Sequence, residues 1–386
     1  MKRIRNLLLL AYGWFQGLFK STFRRINLLQ PTYDWRTKKE LLEVLDSGWV
    51  QYGPKVKEFE KAFAERVGAR YAVATNSATS ALDLCLKVYG IRGGELITPA
   101  FTFVSDAIVG EWNGMDVTFA DIDPKTFCIE PSSIEITPET RVIIAVDCHG
   151  RLADIQGIRQ ILKEKGREDI LIIEDAAHAM HTPGVGTGDI VVYSFQAVKT
   201  MPIFDGGMIT TNDEKIAQRL VELSWLGIKK KTYDRVDGGM YNWKYDITDG
   251  DGIKAYMTDV QAVIGLGQLR RLDALLAKRQ HIQARYNAAF EGKSWFTQPR
   301  FSHTVQYYTA GFDWRDDLSQ FLSEKGIHTS VHFLPLSEMT YWKKAVKRPL
   351  PGTEVWKTLL SLPVHDALTD EDQDYVIDCV RSFYHA

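Results

Sequence analysis

The 386-residue chain has four cysteines, and none of Cys85, Cys128, Cys148 and Cys379 stands in a C-x-x-C pair or at metal-ligand spacing. Four thiols in so long a chain do not build a disulfide scaffold, so a reducing, cytoplasmic setting without a metal centre is expected. Charge of one sign is also missing. The 47 basic and 49 acidic residues leave a net charge of -2, and no basic face for wrapping nucleic acid is expected. No internal repeat, low-complexity tract or Ser/Pro linker interrupts the chain. No G-x-G-x-x-G opens a helix, and Gly184-Val-Gly-Thr-Gly188 lacks the spacing, which speaks against a dinucleotide-dependent oxidoreductase.

Acid is absent from residues 1–25, where Lys2, Arg3, Arg5, Lys20, Arg24 and Arg25 bracket the apolar run from Leu7 to Phe19. That run is short for a bilayer span and no A-x-A cleavage signal follows it. Two readings stay open: a basic amphipathic helix in peripheral contact with a membrane or partner, or a helix or frayed terminus belonging to the same protein.

What is present is 45% apolar composition, enough for one large domain and a smaller companion. Helical spacing over Thr37–Val44 and Val56–Val67 predicts two helices bent at Gly53-Pro54. Short apolar strands then alternate with helices: Tyr71–Ala74, the helix Ser80–Val88, Glu95–Thr98, Val117–Ala120, Val142–Val146, Ile170–Ile173, Ile190–Phe195 and Met208–Thr211. This rhythm predicts an α/β fold with a mostly parallel sheet sandwiched by helices. Asp259–Leu276 predicts a bridging helix. Strands around Gln306–Phe312 and Thr329–Phe333 and a terminal helix Asp370–Phe383 predict a smaller C-terminal α/β unit. The expected division is an N-terminal extension over 1–30, a large domain over 31–271 and a small domain over 272–386.

Ligands of a parallel α/β sheet collect at the carboxyl ends of its strands. After Tyr71-Ala-Val-Ala comes Thr75-Asn-Ser-Ala-Thr79-Ser-Ala-Leu, small and hydroxyl residues at a helix start, suited to a phosphate or to ordinary capping. Ile170-Leu-Ile-Ile is followed by Glu174 and Asp175, and a carboxylate there needs a cationic or hydrogen-bonding partner. Tyr193-Ser194-Phe195-Gln-Ala-Val-Lys199 puts a lysine one loop beyond a buried strand, where a solvated lysine would be the ordinary expectation. A phosphate seat, a buried acid and a lysine are together the parts that a pyridoxal-phosphate (PLP) enzyme requires.

From about Leu41 to the C-terminus the sequence resembles the DegT/StrS-type sugar aminotransferases, members of the fold-type-I PLP enzymes. The matching stretches include Gly48-Trp-Val-Gln-Tyr-Gly53, Asn76-Ser-Ala-Thr79-Ser-Ala-Leu, Pro99-Ala-Phe-Thr-Phe103-Val, Asp121-Ile-Asp-Pro, Glu174-Asp175-Ala-Ala-His178-Ala and Ser194-Phe195-Gln-Ala-Val-Lys199. Asp205-Gly-Gly-Met-Ile-Thr, Gly252-Ile-Lys-Ala-Tyr-Met-Thr-Asp259-Val-Gln-Ala and Ser361-Leu-Pro-Val-His365 continue the match. Their order and spacing, more than any one of them, carry the likeness.

The resemblance implies that Lys199 forms the Schiff base with PLP and shuttles the proton, that Asp175 pairs with the ring nitrogen, and that Phe103 stacks on the ring. Ser194 with the backbone of Ala78 and Thr79 would bind the phosphate. His178 stands where many members have glutamine, and Ala78 where many have glycine. Lys254 stands where relatives carry an asparagine or lysine that reaches the phosphate of the neighbouring subunit, which implies a homodimer with shared sites. The implied reaction moves an amino group, from glutamate, to a nucleotide-linked keto sugar. Trp49, Tyr52, Trp243 and His332 are candidate substrate contacts, with core packing as the alternative for each. A PLP sugar dehydratase, in which histidine replaces the lysine, is disfavoured by Lys199. A non-catalytic protein of the same fold is disfavoured by the intact lysine and acid.

Overall fold

Runs of β-branched residues can be buried on both faces only where helices cover both sides of a sheet, and that is how the central runs fold. The computed structural model describes residues 24–385 apart from 238–239, 242 and 298–305. Seven strands form the main sheet: β1 (Tyr71–Thr75), β2 (Glu95–Pro99), β3 (Asp116–Ala120), β4 (Thr140–Val146), β5 (Leu171–Asp175), β6 (Ile190–Ser194) and β7 (Gly207–Thr211). Their order is β1-β7-β6-β5-β4-β2-β3. β2 pairs in parallel with β3 and β4, and β4–β5 and β5–β6 are also parallel. β7 alone is reversed, running antiparallel to β6 and β1.

Alternation along each strand sends side chains to two cores. On β4, Val142, Ile144 and Val146 join the cluster around Leu82 and Leu86, whereas Ile143 and Ala145 join Ile158 and Leu162. Helices α1 (Trp35–Ser47) and α2 (Pro54–Val67) pack with the later long helix on one side, while α3 (Ala78–Val88) and α4 (Ser105–Trp112) cover the other. α5 (Ile155–Glu164) and α6 (Glu214–Leu223) complete the layers and were not read from the sequence. The start of α1 is capped by Asp34, whose carboxylate accepts the Thr37 amide at 2.7 Å.

A short hairpin, β8 (Val236–Asp237) and β9 (Met240–Tyr241), precedes α7 (Asp259–Phe290). This helix begins in a capping box of Thr258 and Gln261. It runs fourteen residues beyond the expected Leu276 because its apolar stripe changes partner along its length. Val263, Ile264 and Leu272 pack with α2, whereas Ile282, Tyr286 and Phe290, spaced four apart, enter the C-terminal core. A division near 272 therefore falls inside one continuous helix. The C-terminal unit holds β10 (Phe296–Thr297), β11 (Tyr308–Phe312), β12 (Leu359–Leu362), α8 (Arg315–Glu324) and α9 (Asp370–His385). The strand expected over Thr329–Phe333 is only a single bridge from Ser330 to Ser361, because the chain leaves the sheet there to line a cavity.

Residues 1–23, with most of the basic apolar segment, lie outside the described residues. From residue 24 the chain joins the C-terminal unit: Ile26 bridges Ile327 and is 4% exposed, and Arg24 pairs with Asp372 at 2.7 Å. No described helix is long and apolar enough to cross a membrane. Ile26→Ala is expected to lower the unfolding free energy by about 2–4 kcal/mol. Arg24→Ala, whose ion pair faces water, should cost under about 1 kcal/mol. Denaturant titration of both variants checks this; equal losses would mean that residue 24 anchors the segment as firmly as Ile26.

Candidate active site

β1, β5 and β6 point the same way, so Thr75, Asp175 and Ser194 end at one edge of the sheet. With the turn after Thr75, the loop through Lys199, and Tyr307, His332 and Phe333 from the C-terminal unit, Asp175 and Ser194 enclose a cavity of about 400 Å³.

At its β1 side Ser77 caps α3, accepting the Ser80 amide at 3.1 Å. The Ala78 and Thr79 amides, at the first two helical positions, have no acceptor within the helix and sit at its positive end. Gly207 lets β7 approach this turn. A Cβ there would lie 2.6 Å from the Ser77 carbonyl and from the Thr75 hydroxyl.

Asp175, 6% exposed, closes β5 and accepts the Ala177 amide at 2.9 Å. Burial raises its carboxyl, against a hydrogen bond from Asp106, the Ala177 amide and the nearby Lys199. Lys199 opens into the same space. Burial pushes its ammonium down to about 8, against the pull of the Asp175 and Asp106 carboxyls. The lysine loop is fixed from outside by Gln306, whose side chain donates to the Val198 carbonyl at 2.5 Å and accepts the Thr200 hydroxyl at 2.7 Å.

Of the residues singled out in the sequence, Ala78, Thr79, Phe103, Asp175, His178, Ser194, Lys199 and His332 line the cavity. Phe103 is 57% exposed, an unusual state for phenylalanine, and presents its ring there. His178 stacks on Phe333 and accepts the His149 amide through Nδ1. His332 lies flat on Tyr307, 3.8 Å between centroids, with Nδ1 2.9 Å from the Ser361 hydroxyl. Burial lowers His178 well below its ordinary value and takes His332 down to about 3, so both imidazoles are neutral.

Four candidates lie outside this chain's cavity. Trp49 donates its indole N–H to the Tyr52 carbonyl at 2.9 Å, and the Tyr52 ring lies 3.8 Å from Lys231 Nζ. Trp243 is 70% exposed, and Lys254 is exposed with Nζ 5.6 Å from the Trp225 ring. Conversely, Ser77, Thr102, Asp205 and Phe333, which stand inside stretches singled out in the sequence without a ligand role of their own, also line the cavity, as does Tyr307, which the sequence did not mark, and the buried Asp106 lies close enough to influence the Asp175 carboxyl. Asp106 did leave a signal: it is the lone acid within Phe103-Val-Ser-Asp106-Ala-Ile-Val. The fold also gathers Cys148, His149 and His178, whose ligand atoms lie within 4.8 Å of one another. Burial keeps the Cys148 thiol protonated, and Lys199 and Arg151 add positive charge around His149.

A model of the DegT/DnrJ/EryC1/StrS aminotransferase family matches residues 31–381. The chain belongs to this family. The spore coat polysaccharide biosynthesis protein SpsC of Bacillus subtilis (strain 168) is 36% identical over 367 residues, 89% of this chain and 93% of that protein. The aminotransferase TlmJ from Streptoalloteichus hindustanus is similar in structure, with TM-score 0.84 at 28% identity over 94% of this chain and 99% of that one. The sugar aminotransferase CalS13 from Micromonospora echinospora gives TM-score 0.82 at 26% identity, covering 92% and 99%. The architecture is that of the fold-type-I PLP enzymes, and this DegT/DnrJ/EryC1/StrS member is a PLP-dependent sugar aminotransferase.

The depressed basicity of Lys199 is directly measurable. Acetylation of the apoprotein, followed by mass analysis of the Lys199 peptide, should reach half its limiting rate near pH 8, because only the neutral amine reacts. A midpoint near the ordinary lysine value of 10.5 would show that burial does not govern this amine.

Proposed function

We propose that this enzyme moves an amino group from glutamate to a keto sugar carried on a nucleotide, with Lys199 holding PLP and Asp175 pairing with its ring nitrogen. The observation that carries the reading is the convergence of a lysine amine, a buried carboxyl and an open helix N-terminus on one cavity. These groups fit the cofactor part by part. The Ala78 and Thr79 amides with the Ser194 hydroxyl suit a phosphate, Phe103 offers a flat apolar face for the ring, and His178, which lines the same cavity, would be the group to meet a ring oxygen.

When bound, PLP supplies the electron sink for the bond broken at the substrate carbon. An ionised Asp175 keeps the ring nitrogen protonated, which that role needs. Lys199, with its amine lowered to about 8, is partly neutral near neutral pH and can take a proton and return it. His332 and Tyr307 form an uncharged wall against which a sugar can pack. The polysaccharide role in the name of the Bacillus subtilis relative supports a sugar acceptor.

The proposal includes a homodimer. Lys254 is exposed outside its own cavity, following Ile253, whose carbonyl accepts the amide of the exposed Leu226, and a cation there suits the cofactor phosphate of a second copy. Four buried free cysteines support a reducing, cytoplasmic setting, and the basic composition of residues 1–25 supports a peripheral membrane contact.

Glutamate added to the PLP-loaded protein is expected to convert the cofactor to its pyridoxamine form, read by absorbance, and a nucleotide keto sugar should reverse the change. Lys199→Ala should abolish both halves, and Asp175→Asn should slow them about a hundredfold or more. Near-normal turnover in either variant, or a dehydrated sugar in place of an amino sugar, contradicts the assignment.

A further inference from the structure

Behind the imidazole of His332 the C-terminal unit holds a buried pair of hydroxyls. Thr309 on β11 and Ser361 on β12 are cross-strand partners, and the bridge from Ser330 to Ser361 brings the chain that carries His332 alongside them. The Ser361 hydroxyl oxygen lies 2.7 Å from the Thr309 hydroxyl and 2.9 Å from His332 Nδ1. Thr309 and Ser361 are both 0% exposed, so water does not complete their hydrogen bonding, and among the described residues neither hydroxyl has a further partner.

Counting hydrogens decides which ring nitrogen is protonated. The two hydroxyls bring two hydrogens to two contacts, and each finds an acceptor when Thr309 donates to Ser361 and Ser361 donates to Nδ1. A hydrogen on Nδ1 would put three hydrogens into two contacts and leave one hydroxyl hydrogen buried without an acceptor, which is the costly way to bury a donor. Nδ1 is therefore bare, and the hydrogen of the neutral ring is on Nε2. Burial, which takes His332 down to about 3, agrees with a ring that has a single hydrogen to place.

His332 lines the strand-end cavity, whereas Ser361 and Thr309 do not. The ring thus turns Nδ1 to the core and its opposite edge, with the Nε2–H, to the cavity. The parallel Tyr307 ring, 3.8 Å away, keeps the imidazole from tipping, and the hydroxyl relay keeps it from flipping.

We propose that Ser361 is a positioning residue: with Thr309 behind it, it holds His332 in the tautomer that presents an Nε2–H donor to the cavity, and this donor takes an oxygen of the acceptor sugar. The inference rests on the keto-sugar reading given above. A fixed neutral donor suits the carbonyl and hydroxyl oxygens of a sugar, which carry lone pairs and no charge. It selects against an acceptor that lacks an oxygen at the matching position, because such a ligand would shut the N–H away from water unpaired.

The tautomer is read on the full-length apoprotein containing nitrogen-labelled histidine, by long-range proton–nitrogen NMR correlations, whose patterns differ between the two neutral tautomers. The His332 signals are assigned by their loss in His332→Gln or their displacement in Ser361→Ala. Wild type should show hydrogen on Nε2 alone. On the PLP-loaded protein, cofactor absorbance follows the half-reactions with glutamate and with a nucleotide keto sugar separately. Ser361→Ala should raise the half-saturating sugar concentration about threefold or more, and His332→Phe, which keeps a flat ring without the donor, about tenfold. Both increases should exceed any change for glutamate, and His332→Gln, which retains an N–H, should recover part of the loss. Joint Thr309→Val and Ser361→Ala substitution removes the relay without stranding the Thr309 hydroxyl and should match Ser361→Ala alone.

A hydrogen on His332 Nδ1 in wild type overturns the inference. So does an unchanged sugar dependence in Ser361→Ala and in the double variant, or a loss that falls equally on glutamate, as damaged packing would give. Should the relay variants fail to fold, the wild-type spectrum and His332→Phe decide. A wild-type protein that shows the expected tautomer and takes the amino group from glutamate, yet passes it to no nucleotide keto sugar, refutes the keto-sugar reading and leaves the tautomer standing.

Discussion

Everything at the cavity depends on holding an amine and a carboxylate of opposite charge at the dry end of a parallel sheet. Neither would be stable there alone, since an isolated buried ion costs several kcal/mol. β5 and β6 are hydrogen-bonded neighbours, with Asp175 in register with Val192, so the acid and the start of the lysine loop lie one strand apart. Lys199 is then brought back over the strand ends by its loop. Its lowered basicity is the residue of that cost, a desolvation only partly offset by the facing carboxyls.

The C-terminal unit takes part in this arrangement. Gln306 grips the lysine loop on both sides of Lys199, and the Gln306 carbonyl in turn accepts Arg279 of α7 at 3.0 Å. The helix that carries Arg279 is anchored in both cores, so the lysine is positioned by a continuous chain of packed and hydrogen-bonded groups. The same unit supplies Tyr307 and His332. With the imidazoles of His332 and His178 held neutral by burial, the ionisable charge lining the cavity is confined, among the described residues, to Lys199, Asp175 and, at the rim, Asp205.

Much of this was legible in the sequence because it violates an ordinary expectation. Acids or a lysine directly after a buried apolar run are anomalous, and Asp175 and Lys199 stood out for that reason; the turn that opens α3 was marked by its cluster of small and hydroxyl residues. Elements whose signal is local were found within a few residues, as β1 to β7 show. α4, α5, α6 and α8 were missed: α4 is short and largely buried, so it carries no polar face to mark a helical period, whereas α5 and α6 did carry one, in the buried faces Ile155, Ile158, Leu162 and Ala217, Leu220, Leu223. Tyr307, Phe333 and Gln306 reach the cavity only through the folding of the C-terminal unit over the sheet, and no spacing in the chain encodes that. The three-residue group of Cys148, His149 and His178 was invisible for the same reason, since β4 and β5 bring it together. Trp49 and Tyr52 mark a motif whose visible work in this chain is to shape the turn at Gly53, where a Cβ would meet the Trp49 indole.

A second lysine makes the central claim sharply testable. Lys231 is also buried and its ammonium is likewise pushed down to about 8 by desolvation, yet it faces the Tyr52 ring, away from the strand-end cavity. Basicity alone therefore does not choose between the two amines, whereas the cavity geometry does. Borohydride reduction of the PLP-loaded protein, followed by peptide mass mapping, reads the choice directly. The pyridoxyl group is expected on Lys199; its recovery on Lys231, or on no lysine at all, would contradict the account.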